Sequence, residues 1–195
     1  VPQLKSLREA LKQEHVGSII RRFFINTLFD STFMLLGIIV GSALAGHAGL
    51  NVIIVTMLTT SIALGISTGV SVYEAESLEQ ERKIVDLEKA LFTDLTDTSI
   101  QKAAKYTIFL ATVINFATPL LSCTITVTPF IFAAAGALQT TTAGWISVAL
   151  ALSTLFGAGV FMGRFGKTNP YKKGLRMVAF GVLAFIIGFL LDQLI

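Results

Sequence analysis

Asp30 interrupts an otherwise uncharged run, residues 23–46, roughly two helical turns after Arg22. A carboxylate at that position is costly in hydrocarbon and by default marks an ion or proton pathway. It can hold a divalent cation and, once the cation leaves, a proton. Asn26, Asp30, Met34, Gly37 and Gly41 fall at i, i+4, i+8, i+11 and i+15, near one helical face. That face passes from polar groups into a GxxxG pattern extended by Ala45, which lets another helix approach closely. A second concentration of carboxylates fills 65–91, GISTGVSVYEAESLEQERKIVDLEKAL. Glu74, Glu76, Glu79, Glu81, Asp86 and Glu88 are six of the chain's twelve acidic residues. On a wheel of about 100° per residue, Glu76, Glu79 and Asp86 lie beside Lys83, a solvated face. Glu74, Glu81 and Glu88 recur every seven residues, flanked by Leu78 and Val85 on one side and Ile84, Leu87 and Leu91 on the other. Carboxylates inside an apolar arc need a partner on burial, either a metal ion or a Lys or Arg from a neighbouring helix. Ordinary ion pairs would account for this stripe as well.

The elements that must carry these groups follow from composition. Mean hydropathy of +0.75 with 14% charged residues in 195 positions excludes a soluble domain. Successive apolar stretches of about 20 residues match the length a helix needs to cross about 30 Å of hydrocarbon. The fold class expected is an all-α polytopic membrane protein with five transmembrane helices, the second continuing into the cytoplasm as the acidic helix. Residues 1–22 read as an amphipathic surface helix, with Leu4, Leu7 and Leu11 on one face. Residues 23–73 hold the first two spans, 74–105 a cytoplasmic acidic region and 106–195 the last three spans. Thr93, Asp94 and Asp97 are helix-start signals, so a short separate helix is expected before a third span over about 106–138. Asn115, Thr118, Pro119, Ser122, Thr124, Thr126 and Pro129 suggest a kinked polar helix there, serving either a pathway or packing. Segments 46–51 and 139–144 read as turns. Gly174, Gly181 and Gly188 present a smooth stripe on the last span.

All 15 Lys and Arg fall in the N-terminal segment, in 74–105 or in 164–176, and the two opposite turns carry none. Five spans place those three segments on one side, so the N-terminus is expected in the cytoplasm and the C-terminus outside. The basic charge is therefore topological and does not indicate nucleic acid. Cys123 is a lone cysteine and reads as a small buried apolar residue. His15 and His47 lie outside the spans, with no nucleophile paired to either, so no enzyme is expected. No targeting segment is recognisable, which fits a prokaryotic plasma membrane.

The segment MGRFGKTNPYKKGLRMVAFGVLAFIIGFLLDQL (162–194) resembles the basic loop and glycine-bearing last helix of the vacuolar iron transporter family. DSTFMLLGIIVG (30–41) is similar to that family's first-helix pattern, an Asp followed eleven residues later by Gly. GISTGVSVYEAESLEQER (65–82) resembles its second helix running into a glutamate-rich extension. The resemblance implies a membrane-embedded homodimer that exports Fe²⁺ or Mn²⁺ from the cytoplasm by proton antiport. The ion is cargo, no resident cofactor is expected, and membrane lipids are the other partners. The path would run between the first two helices of each subunit, with Asn26, Asp30, Met34 and Thr68 along it. Asp30, Glu74, Glu76, Glu81 and Glu88 would be the metal-binding carboxylates. Thr68 stands where the family commonly has Met, which favours harder cations such as manganese. Ser71-Val72-Tyr73 replaces the family's Gly-Glu-Tyr, with the acids moved to Glu74 and Glu76. These departures leave a second reading open, a scaffold or regulatory membrane protein that keeps the fold without transport.

Overall fold

A computed structural model describes residues 14–46, 48–95, 98–165 and 169–194, without the side chains of 14–16, 192 and 193. His47, Asp97 and most of the expected amphipathic segment lie outside the described residues, as do the side chains of His15 and Asp192. Among the described residues, five helices are long and apolar enough to cross a membrane, and the protein is an all-α, multi-pass membrane protein. We number them α1 (Glu14–Ile38), α2 (Leu50–Leu91), α3 (Ser99–Ala134), α4 (Thr140–Phe165) and α5 (Pro170–Leu194). α1 continues as a π-helix over Ile39–Leu44, in which the Ala45 N–H donates five residues back to the Val40 carbonyl at 3.2 Å. The Ser42 hydroxyl bonds the Ile38 carbonyl at the same place. Gly46 and Gly136, both at positive φ, turn the chain after α1 and α3.

Two boundaries differ from those read in the sequence, while α1 runs unbroken through residue 22. The short helix expected before the third span is absent among the described residues, because Thr98 rather than Thr93 or Asp94 caps α3: its Oγ1 lies 3.5 Å from the Gln101 N–H. α3 is then one α-helix that contains both Pro119 and Pro129. α4 begins at Thr140, inside the stretch expected to be a turn.

The chain forms two compact units. The larger takes Ile25–Leu64 with Thr118–Ile195, and its core gathers Leu35, Leu36, Ile53, Met57, Phe130 and Leu155. Hydroxyls tie this core together where apolar contact alone gives little drive in lipid. Thr32 Oγ1 meets Ser122 Oγ at 3.0 Å, Thr126 donates to the Ser122 carbonyl at 3.0 Å, and Ser147 donates to the Thr126 carbonyl at 2.7 Å. Cys123 is buried against the Met57 carbonyl. The glycine stripe of α5 packs as expected. A Cβ on Gly174 would meet Phe156 and Val160 at 2.9 Å, and one on Gly181 would meet Leu155 at 2.6 Å.

The smaller unit takes the described residues up to Phe24 with Gly65–Ala117. Here α2 and α3 run antiparallel in close contact. A Cβ on Gly65 would lie 2.7 Å from the Phe116 carbonyl oxygen, and one on Gly69 would lie 3.3 Å from Phe116 Cβ. Ala104, Thr107, Ala111 and Asn115 form the buried stripe of α3.

Candidate functional site

The sequence-predicted site residues fall in two groups, one in each unit. In the larger unit, Asn26, Asp30, Met34, Gly37 and Gly41 are all exposed along α1 and its π-helical end. Ser31, Thr32, Leu35, Leu36 and Ile39 on the same helix are buried, so the two faces separate cleanly. A Cβ on Gly37 or Gly41 would meet nothing within 4 Å. The GxxxG of α1 therefore serves no contact among the described residues of the chain. Asp30 sits one turn into this row, on an apolar helix, with its side chain exposed.

In the smaller unit, the hydroxyl of Thr68 lies 3.2 Å from the Asn115 carbonyl and 3.3 Å from that of Gly65. Pro119, four residues beyond Asn115, has no N–H to give that carbonyl, so Thr68 repairs the gap in α3. This explains a threonine at a close helix crossing. Thr68 is half-buried, with its hydroxyl engaged in that repair.

The acidic part of α2 is arranged differently from the wheel reading. Glu74 and Glu81, expected within an apolar arc, are exposed. Glu88 is half-buried and structural: its Oε1 accepts the Leu95 N–H at 3.0 Å, and its carbonyl accepts the Thr93 N–H at 3.3 Å. The latter bond closes a Schellman turn around Phe92, which takes φ of 51°. Glu79 pairs with Lys83 at 3.2 Å, as the wheel placed them. Glu76, read as part of the solvated face, is only 4% exposed. The wheel fixes angles on one helix but not which sector a neighbour covers, and the covering residues here belong to α1.

Glu76 lines a cavity of about 620 Å³ with Ile19, Arg22 and Phe23 of α1 and Glu79 and Lys83 of α2. Gln80 Nε2 donates to Glu76 Oε2 at a long 3.4 Å. The Arg22 guanidinium lies over the Phe23 ring, 5.2 Å from its centroid. This cavity was not anticipated from the sequence; its legible signal was the step from charged to apolar residues at 22–23 and the reverse step at 73–74.

Among the described residues of one chain, no three His, Cys, Asp or Glu side chains converge as metal ligands. Glu74, Glu81 and Glu88 thus do not form a site within the protomer. No protein-family model matches the chain. Over 175 residues it is 27% identical to an uncharacterized protein of Methanocaldococcus jannaschii, covering 88% of each sequence. That likeness extends through most of the chain and carries no activity with it.

Proposed function

We propose that the protein is a divalent-metal transporter, exporting Fe²⁺ or Mn²⁺ from the cytoplasm by proton antiport, with its path along a homodimer interface. The observation that carries this reading is the exposed row Asn26, Asp30, Met34, Gly37 and Gly41. A carboxylate facing bare lipid costs about 2.5–3.5 kcal/mol even on the mildest scale. A second copy seated on the smooth strip would remove Asp30 from lipid and set two carboxylates and two thioethers across one seam. Oxygen and thioether donors together suit borderline divalent cations. A carboxylate that trades its cation for a proton gives the exchange its chemistry. The resemblance of 30–41, 65–82 and 162–194 to the vacuolar iron transporter family supports the same reading. The charge distribution favours a cytoplasmic N-terminus, with the exposed Glu74 and Glu81 at the entry side.

The second reading, a scaffold without transport, draws on the employment of Glu88 as a cap and on the absence of a converging ligand set within the described residues. Proteoliposomes loaded with a pH dye separate the two. The transporter takes up Fe²⁺ or Mn²⁺ with opposed proton movement, Asp30→Asn abolishes both fluxes, and the variant still folds. Metal flux equal to wild type in Asp30→Asn would remove Asp30 from the path. No flux from folded wild-type protein with any divalent cation would leave the scaffold.

A further inference from the structure

The cavity lined by Arg22 and Glu76 lies outside the row that carries the transport reading, and its chemistry differs. Its charges balance: Arg22 and Lys83 are cationic, Glu76 and Glu79 anionic. Glu79 and Lys83 neutralise each other at 3.2 Å, which leaves Arg22 and the buried Glu76 as the groups offered to a ligand. With that pair cancelled, a bare divalent cation would face the Arg22 charge and find only the single carboxylate of Glu76. An anion alone would meet Glu76. A zwitterion satisfies both.

The position of the cavity narrows the ligand further. Uncharged sequence begins at residue 23 on α1 and ends at residue 73 on α2, so the cavity straddles the edge of the apolar zone on both helices. Ile19 and Phe23 give it an apolar wall beside the charged one. Lipid headgroups occupy that level, and basic pockets between membrane helices receive their phosphates. About 620 Å³ holds a small headgroup with its glycerol, and an acyl chain would leave along the apolar wall. We propose that this cavity binds an aminophospholipid, its phosphate on Arg22 and its primary ammonium on Glu76. An ammonium with N–H groups is required, because a buried carboxylate wants donated hydrogen bonds as well as charge.

The test uses the whole protein, delipidated in detergent and offered phosphatidylethanolamine, phosphatidylcholine or phosphatidylglycerol of identical chains, with bound lipid counted by native mass spectrometry. Wild-type protein retains phosphatidylethanolamine about tenfold over the other two, the value of one charge-assisted hydrogen bond. Glu76→Gln abolishes that preference while still binding lipid. Arg22→Gln weakens all three, and Arg22→Lys restores binding by keeping the charge. Circular dichroism and elution volume check that each variant is folded. Equal retention of phosphatidylethanolamine and phosphatidylcholine by wild type overturns the proposal without reference to any variant. An undiminished preference in folded Glu76→Gln overturns the assigned partner. Displacement of the lipid by soluble phosphoethanolamine at equal concentration overturns a lipid as the source.

Discussion

Glu88 illustrates how one side chain can hold a boundary in place. Its backbone closes the Schellman turn at the end of α2, and its carboxylate accepts the N–H of Leu95, a residue only 7% exposed. Removing that acceptor strands a buried donor, which costs about 1–3 kcal/mol. Glu88→Ala is therefore expected to lower the thermal unfolding midpoint in detergent, whereas Glu88→Gln keeps an acceptor oxygen and stays near wild type. A metal-ligand role gives the opposite pattern, since the neutral amide would weaken Mn²⁺ binding while leaving stability alone. Isothermal titration with Mn²⁺ alongside the melting curves separates them. An unchanged midpoint in Glu88→Ala would show that water replaces the carboxylate at Leu95. Spacing along α2 revealed Glu88 as one of three carboxylates at heptad intervals, but capping depends on where the helix stops and on the path of the chain beyond it. Neither is written in the period. The same limit applies to Glu76, whose burial is decided by α1.

At the scale of elements, two glycine pairs of the same spacing have opposite employment. Gly65 and Gly69 of α2 meet Phe116, and the atom nearest a Cβ on Gly65 is a backbone oxygen at 2.7 Å, which cannot swing aside. Gly65→Ala is expected to force α2 and α3 apart, at about 1–3 kcal/mol for an overpacked contact. Gly37 and Gly41 have open space, so Gly37→Leu should leave the melting curve of the single chain unchanged and, if the proposed homodimer forms along this row, abolish it. Light scattering of the detergent-solubilised protein reads the second outcome. A Gly37→Leu protein that remains dimeric would move the interface away from the Asp30 row. The five apolar helices were legible in the sequence because length and hydropathy alone define a span. The use of each GxxxG was not, since small residues permit a close approach without naming the helix that makes it. The π-helical end of α1 was equally hidden: nothing in the composition of IVGSAL distinguishes a five-residue hydrogen-bond step from a four-residue one.

For the whole molecule the decisive quantity is the sidedness of charge. The 15 Lys and Arg divide among three segments, and five crossings require those segments to share a side. The connections around Gly49 and Thr141 carry no cation to retain them in the cytoplasm. This arrangement can be read with single cysteines on a Cys123→Ala background, at Gly49, Ser99, Thr141 and Lys172, all exposed positions. In intact cells a membrane-impermeant maleimide is expected to label Gly49→Cys and Thr141→Cys at once, and Ser99→Cys and Lys172→Cys only after permeabilisation. The reverse pattern would turn the molecule over, put the exposed Glu74 and Glu81 on the outer face and make the proposed direction of transport import. Labelling of Ser99→Cys and Lys172→Cys on different sides would break the five-crossing arrangement itself, because an even number of spans, α3 and α4, separates them. On the transport reading, the direction in which Asp30 would pass an ion rests on which side of the membrane holds the fifteen Lys and Arg. The labelling experiment decides that before any flux is measured.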